Sequence, residues 1–362
     1  MIIYRSFYRE ATVGTLATVL VLAILVFSQK AVFVLSSAAS GGINAIWVAS
    51  LLTLEFILDF DLLMQLSLFV GILVTLNRWY RDSEMVVLTS CGIGIMDLVR
   101  PVMVFTLGFA VVVGALVLVI RPAAYNRIQE VKQENADKAD LSWIVPGRFT
   151  SIEGYTYYVQ KRGEGGSKRD VFIFEREGKS LRTIVAEKAK QVTNARTGQK
   201  IIRLNNGSIY HGQPGSADYR VTHFDEYEVF LSRGDRLADK ENVEGISIFD
   251  LPSYPNRNLA LTELQTRLGK PVMLFIFAGI AMLLSYSEPR RSQYRSLFIA
   301  VFVFFFYLTV LQYVRDMMRA GEASPVVSLW LVHATAGGII YYLLRRRNQG
   351  LPLLALPWNQ GS

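Results

Sequence analysis

Several stretches of this chain stay apolar for about 20 residues, the length a helix needs to cross roughly 30 Å of hydrocarbon with its backbone satisfied internally. Residues 13–35 are apolar until Gln29 and Lys30 near the end, and residues 102–120, 297–314 and 325–344 contain no charge. Residues 271–284 are shorter and reach a minimal span only when extended through Ser287, with Pro271 suited to a helix start. Composition agrees, because 51% hydrophobic residues and a mean hydropathy of +0.29 over 362 residues are too apolar for two soluble domains. The pattern predicts an integral membrane protein.

A sixth run, residues 46–76, is interrupted by Glu55, Asp59 and Asp61 and would be about 46 Å long as a helix at ~1.5 Å per residue. The economical expectation puts residues 62–76 in the bilayer. Residues 46–61 then form a helical lead-in at the far surface, where the three carboxylates stay wet, since burying them is costly. Arg5, Arg9, Arg78, Arg81, Arg100, Arg290, Arg291, Arg295, Arg345, Arg346 and Arg347 all fall on one side of such spans. Only Lys30, Arg315 and Arg319 lie near the spans on the other. The bias predicts six spans with both termini cytoplasmic and the large insert facing outward. No small-residue cleavage site follows the first apolar stretch promptly, so that span is expected to stay uncleaved.

Between Arg121 and Gly269 charges become frequent and short apolar runs alternate with turn chemistry at residues 163–167, 205–208 and 212–216. Expected strands are residues 149–160, 170–176, 183–192, 199–205, 208–211 and 219–230, as a sandwich, a jelly roll or an open barrel. Residues 125–141 and 259–268 read as helical connectors. Val171, Phe172, Ile173 and Phe174 put apolar groups on both faces of one strand, which fits either a surface that binds something apolar or a two-layer core.

Chemistry-bearing motifs are scarce. Gly178, Lys179 and Ser180 imitate the end of a phosphate-binding loop, but Ile173 stands where its first glycine belongs, so they read as a hairpin turn. His211, His223 and His333 form no HExxH, no GxSxG occurs, and Cys91 alone allows neither an internal disulfide nor a cysteine metal cluster. No catalytic residue and no metal site are expected. His333, within the last span, reads as proton-coupling or as a neutral core histidine. Asn206, Gly207 and Ser208 fit a glycosylation acceptor or a tight turn. The net charge of +8 gathers beside the spans, against a nucleic-acid partner. Lys30 can snorkel towards an anionic head group or act as an anchor. In the loop of residues 77–100, Asp82 or Ser83 can cap and Gly92 can end a short surface helix presenting Met85, Val86 and Leu88 beside Glu84. It would dock on a cytoplasmic partner or lie at the interface.

The opening Met1, Ile2, Ile3, Tyr4, Arg5 with Arg9 and Glu10, the Ser28, Gln29, Lys30 closing the first span, and Ser83, Glu84 leading to Ser90, Cys91, Gly92 together resemble the lipopolysaccharide export permease family, YjgP/YjgQ type. The likeness covers the whole chain and is nearer the LptF branch than the LptG branch. It implies a membrane α-helical fold of six transmembrane helices plus an all-β, jelly-roll-like periplasmic domain. The divisions would be 1–121 for the first three spans with a coupling helix at 82–91, 122–268 for the periplasmic domain, 269–347 for the last three spans, and 348–362 for a cytoplasmic tail.

The resemblance further implies an LptG-like paralogue, an LptB-like ATPase dimer that binds ATP and magnesium, and LptC-like and LptA-like periplasmic jellyroll proteins, with lipopolysaccharide as cargo. No cofactor is expected in this chain. Glu84 matches the position that engages the ATPase, with Met85, Val86 and Leu88 beside it. Lys30 matches a basic residue near the lipid's phosphorylated glucosamines. Phe33 departs from a second basic residue found in some relatives, and Arg315 and Arg319 are the candidates to share its contact. Tyr157, Val159, Phe172, Phe174, Ile209 and Phe230 are the candidate acyl-chain contacts; alternation alone leaves open which face inward. A membrane sensor or assembly factor, or a secondary transporter, would share the layout of spans around a soluble domain. The former should carry a cytoplasmic signalling domain and the latter broken helices with buried charge at the midplane.

Overall fold

The computed structural model describes residues 2–39, 45–138, 147, 149–152, 155–162, 167–177, 180–193, 200–212, 220–230, 243–286, 293–324, 326 and 328–349. Arg290, Arg291, Gly178, Lys179, the turn residues 163–166 and 213–216, and all of the tail beyond residue 349 lie outside them. The chain divides into a helical unit, Met1–Ser28, Phe56–Tyr125 and Val243–Ser362, and a second unit, Gln29–Glu55 and Asn126–Asn242, which contains the sheet.

The helices are α1 Ile2–Ala39, α2 Ala45–Arg81, α3 Glu84–Ser90, α4 Ile95–Ala115, α5 Arg121–Lys138, α6 Arg257–Leu284, α7 Gln293–Ala320 and α8 Ser328–Asn348. Five helical stretches among the described residues are long and apolar enough to cross a membrane: Ile3–Ala39, Ile46–Arg81, Ile95–Lys132, Arg257–Leu284 and Ser296–Ala320. The sixth expected span, α8, is helical over 21 residues but falls short of that measure, diluted by His333, Tyr341, Tyr342 and the arginines of its last turn. In α2 and α6, 56% and 61% of the most apolar window is buried, against 11% in α1, so α2 and α6 form the interior and α1 shows its apolar surface outward. The centre is aromatic: Phe69 of α2, Phe277 of α6 and Phe304 of α7 have ring centroids 4.4 to 5.9 Å apart.

Three expectations about the helices are corrected. The run of residues 46–76 is helical throughout as expected, but Asp61 is not wet: it is buried, paired with Lys270 and with Arg121 at 3.5 Å. Pro271 lies inside α6 rather than at its start. The helix begins at Arg257, capped by the Asn256 side chain accepting from the Leu259 amide at 3.3 Å, so the return connector and the fourth span are one element. Likewise α4 passes into α5 through a π turn at Leu116–Ile120, an irregularity that often marks functional positions in helices.

The strands are β1 Phe149–Ile152, β2 Tyr155–Arg162, β3 Lys168–Glu177, β4 Ser180–Thr193, β5 Lys200–Gly212 and β6 Arg220–Phe230. They form one antiparallel sheet in chain order, β1-β2-β3-β4-β5-β6. The expected single strand over 149–160 is two, paired from Phe149 opposite Tyr158 to Ile152 opposite Tyr155. Glu177 pairs with Ser180, on either side of Gly178 and Lys179, which lie outside the described residues.

The expected turn at Asn206 does not occur, because β5 runs straight through it. Asn206 instead has φ 51, and its row neighbour two strands away, Asp170, has φ 53. The pairing ladders step over this row in every strand pair from β2 to β6: Val159 pairs with Val171 and then Lys161 with Arg169, and Asn205 pairs with Glu226 and then Gly207 with Phe224. Burial changes phase across it. Val171, Ala186 and Gly207 face inward on one side, whereas Lys168, Ala189 and Leu204 do so on the other. The two halves still share one apolar cluster. Gly207 is required at this crease, since a Cβ there would lie 2.4 Å from both Phe224 Cζ and Val185 O.

Candidate functional site

The short helix α3 follows α2 after a tight corner. Ser83 occupies its N-cap position at φ 62 and makes no side-chain cap, contrary to the expected Asp82 or Ser83 cap. Gly92, at φ 83, ends it as expected, with the Ile93 amide donating to Leu88 O at 2.9 Å. Met85 is 2% exposed and belongs to the core of the helical unit, so it anchors α3 and is not presented. Leu88 is half-buried against the same core, while Val86 and Val87 are 58% and 63% exposed beside the exposed Glu84. The presented set is thus Glu84, Val86 and Val87. Val87 was missed because the apolar run Met85, Val86, Val87, Leu88 gives no phase over a single turn.

The far end of α6 carries an ionic cluster that the sequence did not announce. Arg267, buried, donates to Glu263 Oε1 at 2.9 Å and to the carbonyls of Ile246, Val243 and Glu244 at 2.6, 3.0 and 2.9 Å. Arg319 reaches Glu263 at 3.5 Å and Glu244 at 3.8 Å. Arg121 and Lys270 close the set on Asp61. Arg319 therefore sits among carboxylates, and neighbouring Arg315 donates to Gln312 Oε1 at 2.5 Å. In the same unit His333 is buried and shares a 2.6 Å hydrogen bond with the Tyr307 hydroxyl, a satisfied pair in the helix packing.

In the second unit, Lys30 lies 3.4 Å from Glu55, with Lys132 4.0 Å from the other oxygen of that carboxylate. Phe33, one turn on, is exposed. On the sheet, Tyr157, Val159 and Ile209 belong to the inner apolar cluster together with Ile173, Ile184 and Leu204. Phe172 and Phe174 lie on the opposite face, in the rows that run Tyr158, Phe172, Val185 and Thr156, Phe174, Thr183. The Phe230 side chain lies outside the described residues, though its backbone pairs with Ile201. Alternation could not find Leu204 or Ala189 as partners of Val171, because the crease shifts the phase between them.

Among the described residues no group of His, Cys, Asp and Glu has a metal-holding arrangement. The chain is similar to the lipopolysaccharide export system permease protein LptF of Escherichia coli (strain K12), 26% identical over 336 residues that cover 92% of each chain. LptF of Shigella flexneri is similar to the same extent, 26% over 336 residues. The family model for the lipopolysaccharide export system permease LptF/LptG matches residues 5–346, and with nearly the whole chain inside that match, the protein belongs to the LptF/LptG family of lipopolysaccharide export permeases.

Proposed function

We propose that this multi-pass inner-membrane protein is the LptF-type permease subunit of an ATP-driven exporter. It extracts lipopolysaccharide from the outer leaflet and passes it to a periplasmic jellyroll bridge. The observation that carries the reading is the family match over residues 5–346, because spans around a β domain would fit other functions too. Extraction exposes acyl chains at about 0.8 kcal/mol per CH₂, so it needs an energy source and an apolar path. ATP and magnesium belong to an LptB-like dimer, which docks on Glu84, Val86 and Val87 while Met85 and Leu88 hold the helix to the bundle. This chain itself hydrolyses nothing.

In this reading α8 is the sixth span, both ends are cytoplasmic, and the sheet belongs to a periplasmic jelly-roll domain within residues 122–268. An LptG-like paralogue completes the pair, and LptC-like and LptA-like proteins receive the lipid. Lys30, with Phe33 as an apolar neighbour, and Arg315 and Arg319 meet the phosphorylated head group. Tyr157, Val159 and Ile209 carry the acyl chains along the inner face; their membership of one apolar cluster supports this assignment over Phe172 and Phe174.

The test is lipopolysaccharide release from proteoliposomes holding this chain, the paralogue and the ATPase. ATP-dependent release is expected, lost in Glu84→Ala, with a photo-crosslinker at Ile209 capturing lipid during turnover and one at Phe172 not. A chain that purifies with no ATPase, or a Glu84→Ala complex with unchanged assembly and release, would overturn the reading.

A further inference from the structure

The face of the helical unit beside α3 contains a charge arrangement that neither the family match nor the docking helix accounts for. Glu10, on the first helix, receives two donors from consecutive residues at the end of α2. Trp79 Nε1 donates to Glu10 Oε2 at 2.9 Å, and Arg78 Nη2 meets the same oxygen at 2.6 Å. The Ser6 hydroxyl donates to the other oxygen at 3.0 Å. The attachment is built on buried aromatic packing: Trp79 and Phe7 are both buried, with their rings edge to face at 5.9 Å, and Phe7 also meets Phe105 of α4 at 5.9 Å.

The nitrogen of Arg78 that holds Glu10 also lies 3.8 Å from Glu84 Oε1, and Arg78 Nε lies 4.0 Å from Asp82 Oδ2. One guanidinium nitrogen is therefore shared between a carboxylate on α1 and a carboxylate on the docking helix. Both Arg78 and Glu84 are more than 40% exposed on their side chains, so the Glu84 contact is a weak surface pair that a partner can displace. The Glu10 contact is shorter and reinforced by the indole.

We propose that Glu10, Arg78 and Trp79 form a relay that ties the state of the docking helix to the first transmembrane helix. When a donor on the ATPase engages Glu84, Arg78 Nη2 loses its second carboxylate and is left to Glu10, while Nε stays beside Asp82, and this tightens α1 on the end of α2. When the ATPase withdraws, Glu84 competes for Nη2 again and the grip relaxes. The linkage is reciprocal: whatever loosens α1 from α2 changes how strongly Glu84 binds its partner. Glu10, Arg78 and Trp79 are positioning residues, because they touch neither nucleotide nor lipid. α1 is the element such a relay acts on: its Glu10 end is anchored by buried Phe7 and Ala11, while only 11% of its most apolar window is buried.

The inference rests on the ATPase-coupled reading of Glu84. The experiment uses the whole complex in proteoliposomes and measures lipid released per ATP hydrolysed, together with co-purification of the ATPase. Glu10→Gln keeps an oxygen for the indole and removes the charge that Arg78 reads. It is expected to lower the ratio by about fivefold or more, the low end of coupling between sites, with the ATPase still bound. Arg78→Gln should do the same, and the double variant should lose no more than either single one, because all act on one link. A Glu10→Gln ratio within about twofold of the unaltered complex, or losses that multiply in the double variant, would overturn the relay. If the unaltered chain binds no ATPase, the proposed function fails instead; if it exports and the variants export equally well, only the relay does.

Discussion

Replacing Arg267 by methionine should be among the most damaging single changes in the helical unit. The guanidinium is 1% exposed and supplies four hydrogen bonds, one to Glu263 and three to the carbonyls of Ile246, Val243 and Glu244. Methionine fills much of the volume and provides no donor. Among the described residues the Glu263 carboxylate, itself buried, would keep its ion pair with Arg319 at 3.5 Å. Breaking a buried ion pair from one side costs about 3–5 kcal/mol, and at ~1.4 kcal/mol per tenfold this multiplies local opening by roughly two to three and a half powers of ten. The opening should appear at residues 243–254, which that side chain holds to α6, so limited proteolysis of the detergent-solubilised protein is the direct assay. A second change, Glu263→Leu, removes the stranded charge and should recover about 2 kcal/mol, leaving the carbonyls to find water. A single variant that costs less than about 1 kcal/mol, or a double variant as labile as the single one, would refute the view that this pair is an internal fastener.

Two further substitutions test the packing. At Gly71 of α2 a Cβ would lie 2.2 Å from Thr15 Oγ1 and 2.8 Å from the Thr15 amide nitrogen of α1. Gly71→Val should therefore push the two helices apart at a cost of about 1–3 kcal/mol, seen as a lower melting temperature and as lost cross-linking between cysteines placed on α1 and α2. Asn206→Val forces a β-branched residue to φ 51 and should cost about 1–2 kcal/mol by thermal melting, whereas Asn206→Gly should stay within ~0.5 kcal/mol. Equal effects of Val and Gly at that position would show that the crease does not depend on backbone handedness there.

What the sequence revealed followed which interactions are local. Apolar length located the helices, because satisfying a backbone in hydrocarbon leaves few alternatives. The same rule hid the fate of Asp61, since its partners Arg121 and Lys270 are remote in sequence and burial with pairing looks identical to exposure along a chain. Pro271 resembled a helix start, yet it sits mid-helix with Arg257 as the true beginning, a tolerance for proline that membrane helices share. The short helix α3 falls where the sequence put a helix, ended by Gly92 as expected, although the expected side-chain cap before it does not form. Its orientation was not legible, because which of four consecutive apolar residues turns inward is decided by the core that Met85 enters. Glu10 appeared only as a matching residue; its shared donors on Arg78 and Trp79 arise from the crossing of two helices. In the sheet, Asn206 and Gly207 carry strong turn chemistry, and local propensity alone favours a turn where long-range pairing on both sides imposes a strand.

The row through Asp170 and Asn206 acts as a domain wall in the sheet. A one-residue slip between strands ordinarily carries every inward side chain to the outside. Here the inward set changes phase within the strands at one common row while the pairing on either side keeps its register. Each half of the lining is therefore written in its own alternation. Substitutions that enlarge or shrink the apolar inner face on one side of the row need no compensating shift on the other, so the packing of the two halves can change separately.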